Sequence, residues 1–92
     1  MTFEEAMKSA KNNMAIAMSN WNGETEKTTF VFLSGGFQGN VGNDFPLLKT
    51  MGIETMYVQS RLDKRLETGE VIFGWSPSQE EILSNSWEVI EV

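Results

Sequence analysis

The first apolar positions of the chain recur at intervals of three and four residues: Phe3, Ala6, Met7 and Ala10. This spacing predicts an amphipathic helix over residues 3–12. Thr2 followed by Glu5 matches a capping box at its start. Asn12 and Asn13 are typical of a helix end, because Asn tolerates the left-handed conformation found there.

Period-two and β-branched patterns predict strands along the rest of the chain. Residues 14–18 alternate in size and predict a short strand. Residues 28–33 are β-branched and aromatic, which predicts a central strand buried on both faces or at an interface. A further strand is expected over residues 54–62, joined through a turn at 67–70 to a strand at 71–75, as an antiparallel hairpin.

The remaining segments complete an α+β fold. Residues 34–49 contain four glycines and predict a long surface loop. Two overlapping capping signals, with Pro77 in a first-turn position, predict a short helix that runs to about Ser84. Residues 87–92 predict a last strand. We therefore expect one domain over residues 1–92, with an N-terminal helix, an antiparallel sheet of about four to five strands, and a short helix before the last strand.

Composition narrows the chemistry open to this fold. The 92 residues include no Cys and no His, so the usual thiol nucleophile, imidazole base and transition-metal ligands are missing. We expect no enzyme activity, no metal and no cofactor. The net charge of −6 disfavours nucleic-acid binding. With an acidic amphipathic start and no long apolar run, the protein is expected in the cytoplasm and outside the membrane.

Three tryptophans are the first candidates for a binding surface. Residues 20–24 predict a turn around Asn22 and Gly23, Trp21 lies within it, and Trp75 precedes a predicted helix start. Indole rings at the ends of elements either stack on a ligand ring or anchor the core, and the sequence leaves both interpretations open for these two. Trp87 lies within an apolar strand and is predicted to be core.

Because the chain is acidic, an anionic ligand would need nearby positive charge or free backbone N–H groups to bind. The basic residues Arg61, Lys64 and Arg65 form one cluster, and Arg61 is a candidate phosphate ligand, although a solvated strand end explains the cluster equally. Residues 76–79 begin a predicted helix, and the free backbone N–H groups of its first turn could bind a phosphate. Alternatively, side chains of the same segment cap these N–H groups. The glycine-rich residues 34–42 match no nucleotide-binding motif and fit a flexible loop or a lid.

Three segments together resemble a known family. They are Thr-Phe-Glu-Glu-Ala-Met-Lys at residues 2–8, Trp-Asn-Gly at 21–23, and Trp-Ser-Pro-Ser-Gln-Glu-Glu-Ile-Leu at 75–83 followed by Trp-Glu-Val at 87–89. The pattern resembles small phage proteins, long called a domain of unknown function, that include the second type of Thoeris anti-defence protein.

The resemblance implies a sponge that binds the cyclic ADP-ribose-like messenger of bacterial Thoeris systems without cleaving it. Some relatives also sequester cyclic oligonucleotides. It further implies a homotetramer in the host bacterial cytoplasm, with pockets between subunits. Matched by motif, the ligand-binding residues would be Trp21, Asn22, Gly23, Trp75, Ser76, Ser78 and Gln79, with Arg61 added from the basic cluster.

Two other functions are compatible with the sequence. An acidic surface can dock on a basic partner, so the chain is alternatively a protein-interaction module that inhibits a host protein directly. A small metal-dependent hydrolase would need Asp44, Asp63 or a glutamate as ligands. The two aspartates lie in unrelated segments, and no spacing places several carboxylates on one face.

Overall fold

The computed structural model describes residues 1–23 and 26–91. Glu24, placed in the turn by the sequence, and Val92, placed in the last strand, lie outside the described residues. The described chain has an α+β fold, as predicted. Its helices are α1 (Phe3–Ala10), α2 (Pro46–Thr50) and α3 (Gln79–Leu83), and its strands are β1 (Ala15–Met18), β2 (Phe30–Ser34), β3 (Phe37–Asn40), β4 (Thr55–Val58), β5 (Arg61–Arg65), β6 (Val71–Phe73) and β7 (Trp87–Ile90).

Helix α1 begins at the predicted capping box. Glu5 N donates to Thr2 Oγ1 at 3.2 Å, and Thr2 N donates to Glu5 Oε1 at 3.0 Å, so two backbone donors of the first turn are satisfied reciprocally. The helix ends at Ala10, two residues earlier than predicted. Asn13 then reverses the chain with φ of 62°, which confirms that an Asn ends this segment.

Five antiparallel strands form the main sheet in the order β6-β5-β2-β1-β7. Strand β2 is central, as predicted. The small residues Ala6 and Ala10 let α1 approach one face closely, where a core forms with Ile16, Val31 and Trp87. Alternation along β2 places Phe30 and Phe32 on the opposite face, where both are only half-buried. The prediction that this strand is buried on both faces is therefore confirmed for one face only.

Two predictions for the middle of the chain were wrong. Residues 34–49 are not one long loop, because they contain β3 and α2. Residues 54–62 are not one strand. The chain breaks at Gln59, so that β4 pairs with β3 in a separate two-stranded sheet while β5 joins the main sheet. The glycine-rich sequence of β3 has no periodic apolar pattern, and its strand conformation is set by pairing with β4.

We call residues 35–60 the arm. In the part of the chain that the structure describes, its two strands pair with each other and with no strand of the main sheet. Gly35 joins the arm to the sheet with φ of +85°, and a Cβ there would lie 2.1 Å from Gln59 O. Only glycine fits that close approach. The arm gives the molecule extents of 47 × 26 × 25 Å.

The β5–β6 hairpin is present as predicted, although its first strand is Arg61–Arg65. The short helix also forms, but its start differs in detail. Ser78 is the N-cap of α3, and it forms a second capping box with Glu81. Pro77 therefore precedes the cap instead of lying in the first turn, where its missing N–H would have been harmless.

Candidate ligand site at the tryptophan cluster

The three tryptophans, far apart in sequence, meet in one cluster. Trp21 contacts both others edge to face, with ring centroids 5.9 Å from Trp75 and 5.4 Å from Trp87. Trp87 is buried, and its Nε1 donates to Glu81 O at 2.7 Å, which confirms the prediction that it belongs to the core. Trp21 and Trp75 are half-buried and pack at the edge of that core. They therefore combine anchoring with exposed ring surface.

Backbone hydrogen bonds hold the two half-buried tryptophans in place. Trp21 N donates to Met18 O at 3.1 Å in the turn that follows β1. Trp75 N donates to Leu62 O at 2.8 Å and so extends the β5–β6 pairing. Gly74, with φ of 70°, turns the chain into this position. Both tryptophans are thus tied through their backbone N–H groups to residues of the main sheet.

Asn22 closes the loop that follows Trp21. Its Nδ2 donates to Thr29 O at 2.8 Å, and its Oδ1 accepts from Thr29 N at 2.9 Å. The amide thus acts like a backbone pair that ties the start of the loop to its end. Asn22 and Gly23 follow Trp21 directly in the chain, and the Asn22 amide is directed at Thr29.

Lys64 of β5 lies over the tryptophan pair. Its Nζ is 3.9 Å from the ring centroid of Trp21 and 5.4 Å from that of Trp75, within the range of cation–π attraction. The register explains this position, because Lys64 pairs with Val31, whose side chain faces α1 and the core. Sequence reasoning noted Lys64 in the basic cluster but did not include it among the ligand-binding residues.

Arg61 lies on the opposite face of the sheet from Lys64, because the two residues are three positions apart along β5 and side chains alternate between the faces. Its Nε donates to Asp63 Oδ1 at 3.0 Å, and its Cζ lies 4.7 Å from the ring centroid of Phe73. Asp63, only 1% exposed, also accepts hydrogen bonds from Ser34 Oγ and from Gly74 N. Within one chain, Arg61 is therefore not brought together with the tryptophans.

The other predicted residues follow Trp75 along the chain. Ser78 uses its Oγ to cap α3, accepting from Glu81 N at 3.2 Å. Ser76 and Gln79 are exposed, and their side chains have no hydrogen-bond partner within the ranges 1–23 and 26–91. The segment 76–79 thus leaves two polar side chains available beside the capped start of a short helix.

Grooves on the surface lie away from the tryptophan pair. One of about 530 Å³ is apolar and lies beside β2 and β7, where Phe30, Phe32 and Ile90 line it. A second, of about 540 Å³, lies between α1 and α3, and a third, of about 260 Å³, includes Gly23. Trp21 and Trp75 line none of these three grooves.

Two further properties bear on the class of protein. The described residues contain no group of three or more His, Cys, Asp or Glu side chains placed to hold a metal ion. None of the described helices has the length and apolarity needed to cross a membrane.

An α+β domain with an aromatic pair beside a lysine fits a small ligand-binding module. Comparison with protein families identifies which one: the family model Tad2-like, described as the Thoeris anti-defense 2-like domain, matches residues 1–90. The chain belongs to this family, which confirms the resemblance drawn from the sequence motifs and supports a role in Thoeris anti-defence. None of the curated proteins compared with the chain matches it.

Proposed function

We propose that this protein is a phage sponge: in the host bacterial cytoplasm it binds a cyclic ADP-ribose-type Thoeris messenger, or a related cyclic oligonucleotide, and holds it uncleaved. The observation that carries the proposal is the Trp21–Trp75 pair, with a lysine ammonium 3.9 Å from the Trp21 ring. A nucleotide base stacks on indole, and its phosphate is attracted to the neighbouring cation. Membership of the anti-defence family supports the same conclusion.

Sequestration without cleavage is consistent with the side chains available. The sequence has no Cys and no His. Asp63, a ligand in the alternative hydrolase hypothesis, is buried and accepts hydrogen bonds from Arg61, Ser34 and Gly74. These contacts use its oxygens to connect β5 with β2 and with the turn before Trp75. They support a structural role for the carboxylate.

Self-association, as a homotetramer, is the second part of the proposal. The single chain exposes 6634 Å², whereas a compact monomer of 10.4 kDa is expected to expose about 5,400 Å². The excess of about 1,200 Å² exceeds the roughly 800 Å² that each partner contributes to a standard interface. The arm exposes large apolar side chains, among them Leu47 at 70% and Tyr57 at 67%. Subunits that pack through the arm would enclose surfaces that are open in one chain.

The proposal is tested with a panel of cyclic ADP-ribose isomers and cyclic oligonucleotides. Isothermal titration calorimetry should give a nanomolar-scale dissociation constant for one member, about −12 kcal/mol. The complex is then heat-denatured, and the released ligand is identified by mass spectrometry. Recovery of the intact ligand is expected. A cleaved product would exclude a sponge, and no binding to any member would exclude the proposed ligand class.

The alternative, direct inhibition of a host protein by an acidic module, predicts a different result. Affinity purification from host lysate would then recover one stoichiometric host protein, and native mass spectra of the purified chain would show no small molecule. The sponge predicts a ligand-shifted oligomer in the native spectrum and no stoichiometric host partner.

A further inference from the structure

We infer that Lys64, rather than Arg61, supplies the positive charge of the tryptophan site, where it binds the phosphate of a ligand whose base stacks on Trp21 or Trp75. This inference rests on the proposed function. It assigns a role to a side chain that neither the motifs nor the family match single out. It also specifies the chemical class of the ligand as a planar base that carries a phosphate.

The first argument is the hydrogen bonding of the three basic residues in β5. Arg61 pairs with Asp63 at 3.0 Å, and Arg65 Nη1 donates to the carbonyl oxygens of Thr28 and Leu66. Lys64 differs from both. Among residues 1–23 and 26–91, no carboxylate oxygen lies within 4.0 Å of its Nζ. The ammonium group instead lies over the two indole rings.

The second argument is the direction of the side chains. Arg61 and Arg65 share one face of β5 with Asp63, whereas Lys64 shares the other face with the core beneath α1. Trp21 and Trp75 pack against that same core. Lys64 is therefore the basic residue of β5 that a ligand on the tryptophans can reach without crossing the sheet.

The third argument is electrostatic. The chain carries a net charge of −6, so a phosphate approaches it against repulsion unless a local cation compensates. Lys64 is half-buried, and partial removal from water strengthens its attraction for an anion. Indole faces attract an ammonium group through the ring quadrupole and occupy only the N–H groups that point at the rings, so those that point away are available to bind phosphate oxygens.

The experiment compares Lys64→Met, which keeps the apolar stem, with Lys64→Arg, which keeps the charge. Lys8→Met is the matched control, because Lys8 is exposed on α1 and makes no cation–π contact with an indole ring of the described residues. Each protein is titrated with the cyclic ADP-ribose isomer that the wild type binds most tightly, and with adenosine, which has the base but no phosphate. Binding is measured over a range of ionic strength, and the melting temperature is recorded in parallel.

Lys64→Met should weaken binding of the phosphate-bearing probe by about 10- to 100-fold, the factor for losing a hydrogen bond between charged groups. It should also reduce the salt dependence of binding and leave adenosine binding unchanged. Lys64→Arg should retain most of the affinity, and Lys8→Met should behave as the wild type. A purely structural lysine would shift the melting temperature without changing the salt dependence.

Failure of this inference differs from failure of the proposed function. If the wild type binds the probe and Lys64→Met binds it equally tightly with the same salt dependence, the role of Lys64 is wrong and the sponge remains. If the wild type binds no phosphate-bearing probe, both are wrong. If Lys64→Met does not fold, two other results still decide the question. The inference is overturned if the wild-type affinity does not depend on salt concentration, or if Lys64→Arg folds and does not bind the probe.

Discussion

The indole rings of Trp21 and Trp75 stand almost perpendicular, at 89° to each other with 5.9 Å between their centroids. This is the edge-to-face geometry that the ring quadrupole favours. Trp21 makes a second such contact with the buried Trp87, at 76°. The orientation of the half-buried pair is therefore fixed by the core before any ligand arrives.

Replacing Trp21 should impair binding more than it impairs folding. Trp21→Phe keeps an aromatic ring against Trp87 but shortens the stacking surface, so binding should weaken by about 1 kcal/mol or more, within the range for a base stack. Calorimetry and thermal unfolding measure the two effects. Trp87→Phe is the matched control. It should cost about 1–3 kcal/mol of stability, because the Nε1 bond to Glu81 O is lost, while the ligand affinity of the folded fraction should fall less than in Trp21→Phe, because the phenyl ring keeps an aromatic contact with Trp21.

Removing the buried carboxylate should strongly destabilise the fold. Asp63→Ala leaves Arg61, Ser34 and the Gly74 N–H without their partner, and loss of one member of a buried ion pair costs about 3–5 kcal/mol. Because Arg61 is partly exposed, the lower end of that range is expected. Urea unfolding measures the loss. The exposed Asp44→Ala should stay within about 0.5 kcal/mol of the wild type, and equal stability of the two variants would contradict the network described here.

The first capping box should make stability depend on pH. Thr2 donates through its backbone N–H and its hydroxyl to the Glu5 carboxylate, and these hydrogen bonds lower the pKa of Glu5 below its ordinary value of 4.5. A carboxyl with a lowered folded-state pKa stabilises the fold above the unfolded-state pKa, and this contribution is lost as pH falls through the folded-state value.

Glu5→Gln should therefore melt at a lower temperature than the wild type at neutral pH, and the gap should close in strong acid. Thermal unfolding followed by circular dichroism across this pH range measures it. In a Thr2→Ala background the same substitution should produce a smaller gap at neutral pH. A gap that stays constant with pH would show that ionisation of the Glu5 carboxyl is not its cause.

The arm should control the oligomeric state. Leu47 is 70% exposed on α2, so Leu47→Glu would disrupt the proposed apolar interface while removing little packing from the single chain. A lower average mass by light scattering is expected, at unchanged circular dichroism. Lys49→Glu lies on the same helix and is the control for charge, because it changes the net charge more than Leu47→Glu does without removing an apolar side chain. If both variants keep the mass of the wild type, α2 lies outside the interface.

Local signals along the chain predicted the elements whose cause is local. The capping box at Thr2 located one helix start, the overlapping capping signals at residues 76–81 located another to within two residues, and the β-branched run at 28–33 located the central strand, because each signal reports chemistry within a few residues. The arm was missed for the opposite reason. Its strand β3 is stabilised by pairing with β4, about fifteen residues later, and neither glycine content nor apolar periodicity reports such a partner.

The candidate site was predicted only in part for the same reason. The motifs located Trp21 and Trp75, but their contact depends on how β1, β5 and β6 are arranged in the sheet. If the predicted strand had covered Arg61–Arg65, as in the structure, side-chain alternation would have placed Lys64 on the opposite face from Arg61 and Arg65. The predicted strand stopped at Leu62, so this signal was not available.

The arm is an insertion within a β-hairpin. Ser34 and Arg61 pair directly at the point where it leaves the main sheet, so β2 and β5 remain neighbours whatever lies between them. Exchanging residues 35–60 for a tight turn would therefore yield a shortened chain that keeps its indole rings. Where the proposed assembly runs through the arm, the shortened chain would be a monomer, and its ligand affinity would measure how much assembly contributes to binding.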